Sequence, residues 1–422
     1  MIEFAKKLWP INRSLTGAGV DSTLLLIKQR LPIKILNFNS GEKVFDWKIP
    51  KVWNLKEAWI KNKSNQKIID FSSNNLHIVG YSQNINKTLT FKELKKKIHT
   101  LKDQPKAIPY VTSYYKKNWG FCLQYNKFKK LKDDKYKVYI NSSFKKGKLK
   151  IGELLIKGET KKEVLISTYI CHPSMANNEI SGIVVSTKLA QWIKKKRRKF
   201  TYRFLFLPET IGSIAYLSKN FKILKKNVIA GYVLTCIGDN RNYSVLESKQ
   251  KNSLSDVIAK KILRKKRNAK IYNWSSRGSD ERQYCSPGID LPVASLMRTK
   301  YGEYPEYHTS LDQIGNVITK KGLKGGFEFA KEVLESLEKQ MFPKSRTFCE
   351  PFLSKKKIYP TLSKKGSVDK SLSKKLEYLS YCDGKKSLVE IANCLNLDLK
   401  NSREIIQFLK KNNLIKLNKF PE

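Results

Sequence analysis

Between Leu149 and Met341 the chain alternates short apolar runs with stretches whose apolar residues recur at helical spacing. The runs EVLISTYI, YRFLFLP, VIAGYVLTCI, AKIYNW and PVASLMR read as strands, and IVVSTKLAQWIKKK, GSIAYLSKNF, SLSDVIAKKILRKK and GGFEFAKEVLESLEKQM as helices. Strand and helix in regular turn predict a largely parallel sheet joined by crossover helices. Residues 2–9 and 20–31 read as two further helices, broken by Pro10 and Gly17, with Ser14 or Thr16 as a cap for the second.

The pattern changes from about Ile33 to Ser143. Short strand-like runs (KILNFN, VFDWKIP, AWIKN, KIIDFS, HIVGYS, YKVYIN) follow one another with polar turns between them, and FKELKKKIHTL is the one clear helix. This predicts a β-rich insertion. Its aromatics Phe45, Trp47, Trp53, Trp59, Tyr114, Tyr115, Trp119 and Phe121 either form its core or line a cleft shared with the main domain. After Pro343 a polar linker leads to a helix, the short helix LVEIANCL, the turn NLD, the helix LKNSREIIQFLKKN and a strand LIKL. That order predicts a winged helix-turn-helix with Ile391, Leu395, Ile405, Ile406 and Leu409 as its core.

Charge changes the picture less than its size suggests. The net charge of +48 in 422 residues invites nucleic acid or anionic membranes. Lysine is spread along nearly every segment, however, alongside abundant Asn and Ile, as compositional drift in an AT-rich genome would leave it. The densest runs, Lys194–Lys199 and Lys260–Lys270, follow helical patterns and read as solvated helix ends. Nucleic acid is not expected as a partner, and the winged helix is read as a protein-contact or homo-oligomer module. Seven cysteines without a C-x-x-C pair point to a reducing cytoplasm. No secretory leader and no membrane span is legible.

The chemistry gathers at strand ends. VLISTYICHPSMANNEISG runs from a strand through Cys171, His172 and Pro173 into a polar loop and a helix. Pro173 stops the strand, so His172 lies at its carboxyl end, the edge where open α/β sheets bind ligands. Cys171 should face away from His172, because side chains alternate along a strand. Of four histidines, His77 and His99 read as structural, and His308 lies in GEYPEYHTSLD. Glu209 in LFLPETIGS and Asp280 in SSRGSDERQY complete a mixed imidazole–carboxylate set for one zinc-like ion. Helix-end charge for Glu209, an arginine partner for Asp280 and a turn cap for Asp312 are the structural alternatives. Arg298, Tyr301 and Tyr307 are candidates for holding a substrate carboxylate or phosphate, and Arg13 is a loop arginine within possible reach of the site.

The stretches LWPINRSLTGAGV, FDWKIPKVWN, IPYVTSYYKKNWGFC, STYICHPSMANNEISG, PETIGSIAYL, RGSDERQY and YHTSLD together resemble a bacterial family of aminopeptidase-like proteins of unknown function. The resemblance implies a zinc aminopeptidase-like fold. Its sheet is mixed and largely parallel with helices on both faces, a β-rich insertion and a C-terminal winged helix. It divides the chain into 1–35 (the first part of the peptidase-like domain), 36–145 (insertion), 146–342 (main α/β domain) and 343–422 (linker and winged helix). Active peptidases of this fold carry His-x-Asp, with the Asp orienting the ligand His. Here the motif is His172-Pro173-Ser174, so that carboxylate is missing. Their metal-bridging Asp falls on Asn178, their Glu-Glu pair is reduced to Glu209, and a further ligand falls on Thr235, with Asp239 just beyond. Tyr307-His308-Thr309 is intact.

The resemblance therefore implies one zinc ion, held by His172, His308 and Glu209 or Asp280, with Glu209 as the general base if it is not a ligand. Asn178, Arg298 and Tyr307 would contact substrate. The expected function is a metal-dependent hydrolase acting on a small peptide or another amide-bearing substrate, including an amide on a modified sugar. A catalytically degraded binding or scaffold protein and a winged-helix DNA-binding regulator are the alternatives.

Overall fold

The structure, a computed structural model, describes residues 1–358 and 370–422. Residues 359–369, the last part of the predicted linker and the first two residues of the helical stretch predicted after it, lie outside the described residues.

The apolar runs form one eight-stranded sheet. From edge to edge its strands are Lys34–Asn39, Lys148–Ile156, Thr201–Leu207, Glu163–Tyr169, Val228–Leu234, Val293–Met297, Tyr243–Leu246 and Ala269–Tyr272. The four central strands are mutually parallel, and antiparallel partners flank them on both sides. Every residue of Glu163–Tyr169 and of Thr201–Leu207 is buried, as strands covered on both faces require.

Alternation along these strands divides the interior in two. Val164, Ile166, Tyr202, Phe204 and Phe206 face a core shared with the helices Ile2–Leu8, Ala18–Lys28, Ser181–Ile193, Leu254–Leu263 and Lys320–Glu338. Leu165, Leu205 and Leu207 face a second core, built with the helix Ile211–Asn227 and the β-rich segment. Helices therefore cover both faces, as the mixed α/β reading expects.

The β-rich segment is a four-stranded antiparallel sheet, ordered Lys67–Asp70, Val52–Lys61, Lys135–Lys145 and Ile85–Thr90. The run KILNFN belongs instead to the edge of the large sheet. HIVGYS forms no strand: His77 ends a single tight turn, with Nδ1 2.8 Å from the Cys122 carbonyl oxygen. The predicted helix from Phe91 stops at Lys95, and His99 lies in a two-residue strand. Neither Ser14 nor Thr16 caps the helix Ala18–Lys28. Gly17 takes the cap position with φ +98°, and the Thr16 hydroxyl is 2.8 Å from that of Tyr81.

Ile391, Ile405 and Leu409 are buried in the C-terminal core, with Leu395 and Ile406 packed against it. The strand Ile415–Asn418 pairs with Phe342–Ser345, which ties this domain to the end of the main one. The basic run Lys194–Lys199 is only partly solvated: Arg198 and Lys199 are buried, Arg198 lying 4.0 Å over the Trp192 ring. Among the described residues no helix is long and apolar enough to cross a membrane.

Candidate metal centre

His172 stands three residues beyond the end of the strand Glu163–Tyr169 and is buried. Its Nδ1 is 3.0 Å from Glu179 Oε2. The same oxygen accepts the backbone N–H of Cys171 at 2.6 Å and that of His172. Glu179 Oε1 receives Arg13 Nε at 2.6 Å, and Arg13 also donates to the carbonyls of His172 and Leu8. Residues Ala176–Ile180 form one wide turn into the helix Ser181–Ile193. Asp312 holds that turn by accepting the N–H groups of Asn177 and Asn178 at 2.8 and 3.0 Å.

This network assigns the ring proton to Nδ1 and leaves Nε2 free. It is the arrangement of a metal-ligating histidine, whose second nitrogen is held by a carboxylate. The orienting carboxylate absent from His172-Pro173-Ser174 is thus supplied by Glu179, seven residues on. Burial disfavours charge on His172, but the hydrogen bond and charge of Glu179, with the charge of Glu209, outweigh it and raise its pKa.

Glu209 follows the strand Thr201–Leu207 and Pro208. Its Oε2 lies 3.7 Å from His172 Nε2, and its Oε1 accepts the Ser279 hydroxyl at 2.7 Å. Enclosure raises its pKa, against the opposing pull of His172 and Ser279. Asp280 Oδ1 accepts the Thr210 N–H at 2.8 Å and the Ser213 hydroxyl at 2.7 Å. That clamp fixes Thr210 at φ +64°, a left-handed conformation unusual for a β-branched residue, and so positions Glu209. Burial and then the neighbouring charge of Glu209 push Asp280 up to about 8.

His308 approaches from the opposite side at φ +54°. Its ring is stacked on Tyr307 at 3.9 Å, and its centroid is 5.6 Å from that of His172. Tyr110 packs on both imidazoles, at 5.2 and 5.1 Å, and donates its backbone N–H to the His308 carbonyl. Burial and the proximity of His172 hold the His308 pKa down at about 3. The ring is therefore neutral at any ordinary pH, as a ligand must be. Its Nε2 is buried with no hydrogen-bond partner, and so are Asn178 Oδ1 and Asp280 Oδ2. Unpartnered buried polar atoms are costly, and here they stand beside two carboxylates of raised pKa. A cation would relieve both, and the nitrogen–oxygen donor set fits zinc.

The fold thus gathers His172, Glu209 and His308, sets Asp280 behind Glu209, and stacks Tyr307 on His308. Asn178 joins through its amide, 2.9 Å from the Tyr169 hydroxyl, and Thr235 donates to the Asn178 carbonyl at 2.7 Å. Arg298 is not brought in. Its guanidinium lies 3.8 Å over Tyr243 and donates to the Asn242 carbonyl, so it is a structural arginine. Cys171 does not face away from His172 either. The strand has ended by then, alternation no longer applies, and Sγ lies 3.5 Å from Nδ1.

Donor atoms of Cys171, His172 and Glu179 fall within 4.8 Å of one another. Glu179 is already saturated by two N–H groups and Arg13, and burial pushes the Cys171 thiol well up, so this trio orients His172 rather than holding an ion.

Known proteins give this geometry a context. A family profile described as "Domain of unknown function (DUF4910)" matches residues 2–340, and one described as winged helix-turn-helix matches 341–417. A Clostridium acetobutylicum protein described as "Putative polysaccharide biosynthesis protein with aminopeptidase-like domain" is 42% identical over 98% of this chain and 95% of its own. A crystal structure of a "putative peptidase" from the same species superposes with TM-score 0.82 at 40% identity, covering 99% of this chain and 95% of that one. A zinc aminopeptidase from Bacillus subtilis, covering 79% of this chain and 94% of its own, has TM-score 0.57 at 13% identity and shares the fold.

Proposed function

We propose, from the premise that the chain belongs to the DUF4910 family and has an aminopeptidase-like fold, that it hydrolyses a peptide or amide bond with one zinc-like ion. The observation that carries this reading is the partnerless Nε2 of His308, set beside His172, whose own Nε2 lies 3.7 Å from the Glu209 carboxylate. His172, His308 and Glu209 would hold the ion, with the unpaired Oδ2 of Asp280 as the alternative carboxylate. Such an ion supplies Lewis acidity towards a carbonyl and a lowered pKa for water.

Where Asp280 completes the ligands, Glu209 takes the proton of the attacking water and returns it to the departing nitrogen. Its raised pKa suits both directions of transfer. Asn178 Oδ1 is free to accept an N–H from substrate, and the Tyr110, Tyr169 and Tyr307 rings wall the site from bulk water. Asn178 in place of a bridging carboxylate supports one ion rather than two. The name of the Clostridium relative turns the substrate class towards amides carried on sugars as well as peptides.

For the winged helix we propose protein contact over nucleic acid, and for the chain a cytoplasmic setting that its unpaired cysteines favour. The helix Leu388–Cys394 already packs on Leu254–Leu263.

The test is metal content of the full chain by mass spectrometry, beside a His172→Ala/His308→Ala variant. About one zinc per chain, lost in the variant, is expected. No metal, with a melting temperature indifferent to added zinc, overturns the reading.

A further inference from the structure

Three of the aromatics left open by the sequence, Phe45, Trp47 and Tyr115, do not settle into a core, and neither does Phe144, whereas Tyr81 beneath them is buried. Trp47, Tyr115 and Phe144 are 40%, 53% and 38% exposed, three of the seven exposed large aromatics among the described residues. Tyr115 and Phe144 line a groove of about 370 Å³ with Pro50, Lys51, Tyr81, Gln83, Lys116 and Lys117. Trp47 meets Tyr115 edge-on at 5.8 Å, and Phe144 meets Tyr81 at 5.8 Å.

Tyr81 and Tyr115 both have left-handed backbones, φ +64° and +63°. Tyr81 is held so by its hydroxyl on Thr16, and Tyr115 by its hydroxyl on the Lys48 carbonyl. Tyr81 is buried and packed on Trp53 and Tyr114, but Tyr115 holds this costly conformation with its ring half exposed, which core packing does not account for.

Lysine alone says little in a chain of this charge. What sets Lys51, Lys116 and Lys117 apart is their place on an aromatic groove, where, like most lysines among the described residues, they form no ion pair. Exposed ring faces beside unneutralised ammoniums suit a ligand with apolar ring faces and negative charge.

We propose that this groove binds an anionic sugar, with its ring on Tyr115 and Phe144 and its carboxylate or phosphate between the three lysines. The volume suits a small ligand of one or two rings. It offers no track for a polynucleotide, which lies along a groove for about 4–16 nucleotides. The groove is also linked to the metal centre: Tyr81 packs on Tyr114 at 5.2 Å, the Tyr114 hydroxyl is 3.1 Å from that of Tyr110, and Tyr110 packs on His172. The site stands on its own observations and does not depend on amide hydrolysis.

The test is calorimetric titration of the full chain with trigalacturonate and, separately, glucose 6-phosphate, with maltotriose and a twelve-residue oligothymidylate as controls. One anionic sugar should bind, and which one identifies a carboxylated or a phosphorylated ligand. Tyr115→Ala and Phe144→Ala should each weaken it about tenfold, a loss of one stacked ring. Lys116→Gln/Lys117→Gln should weaken it and flatten its salt dependence, and maltotriose should bind at least about tenfold less tightly. These residues are exposed or at the rim, and an unchanged melting temperature confirms that each variant folds. Three outcomes overturn the proposal: neither anionic sugar binds, Tyr115→Ala leaves binding unchanged, or oligothymidylate binds more tightly than both.

Discussion

The loop that carries His172 and the loop that carries His308 face each other across the same site, and their surroundings are opposite. Behind His172 the orienting carboxylate is fully committed: Glu179 takes two backbone N–H groups, the imidazole and Arg13, and Arg13 ties the first helix to the loop. Around His308 the ring is neutral, stacked on Tyr307 and edge-on to Tyr110, and its outer nitrogen has no partner. A saturated network fixes a side chain in place. An unsaturated one is where something else binds. The two histidines are unequal partners in one site, one held from behind and the other waiting on a ligand.

Breaking the saturated side should have the largest effect. Arg13→Ala leaves the Glu179 carboxylate buried without its cation, and a cost of about 3–5 kcal/mol in urea unfolding is expected. A loss below about 1 kcal/mol would show that the clamp is not structural.

Removing the unsaturated side should do the reverse. His308→Asn keeps a residue that tolerates a left-handed backbone, so the metal-free protein should unfold within about 1 kcal/mol of wild type. It should lose the stabilisation zinc gives wild type, about 2.7 kcal/mol at a hundredfold excess over Kd.

Acid should separate the two rings in metal-free protein. The pKa of His308, depressed to about 3, makes it contribute stability that is present above about 6.5 and lost as pH falls towards about 3. The raised pKa of His172 has the opposite sign: its contribution is present below about 6.5 and lost as pH rises through its folded value. Melting curves of His308→Asn should therefore fall less steeply than wild type between pH 6.5 and 4, and equal slopes would refute the contrast.

The smallest effect is at the edge of the site. Ser279→Ala removes one hydrogen bond to Glu209, costs about 1 kcal/mol, and should move the acidic limb of any pH–rate profile up by no more than about one unit.

The alternation of apolar strands and amphipathic helices was enough to read a largely parallel sheet with crossover helices, because strands buried on both faces are mostly apolar, and the charged exceptions Glu163 and Arg203 pair with each other. Strand ends followed by polar loops singled out His172, Glu209 and His308, since a sheet of this kind gathers such loops along one edge. The same reasoning failed where the residue acts through tertiary contact. Arg298 follows a strand too, but the packing of Tyr243 captures its guanidinium. Glu179 lay unmarked in a polar loop, because only the wide turn at Ala176–Ile180 swings its carboxylate back under His172. Tyr110 belongs to the inserted segment, some sixty residues before His172, and no spacing links the two.

The sequence by itself therefore determined the layers of the main domain, the identity of the imidazoles and carboxylates available, and the winged helix at the end of the chain. Periodicity and strand-end position are local properties, and they survive in a linear reading. Which donors are spent and which are free was decided only in three dimensions. Whether a buried nitrogen finds a partner depends on groups that folding carries to it from distant parts of the chain. Arg13 is 166 residues from Glu179, and Ser279 is 70 residues from Glu209.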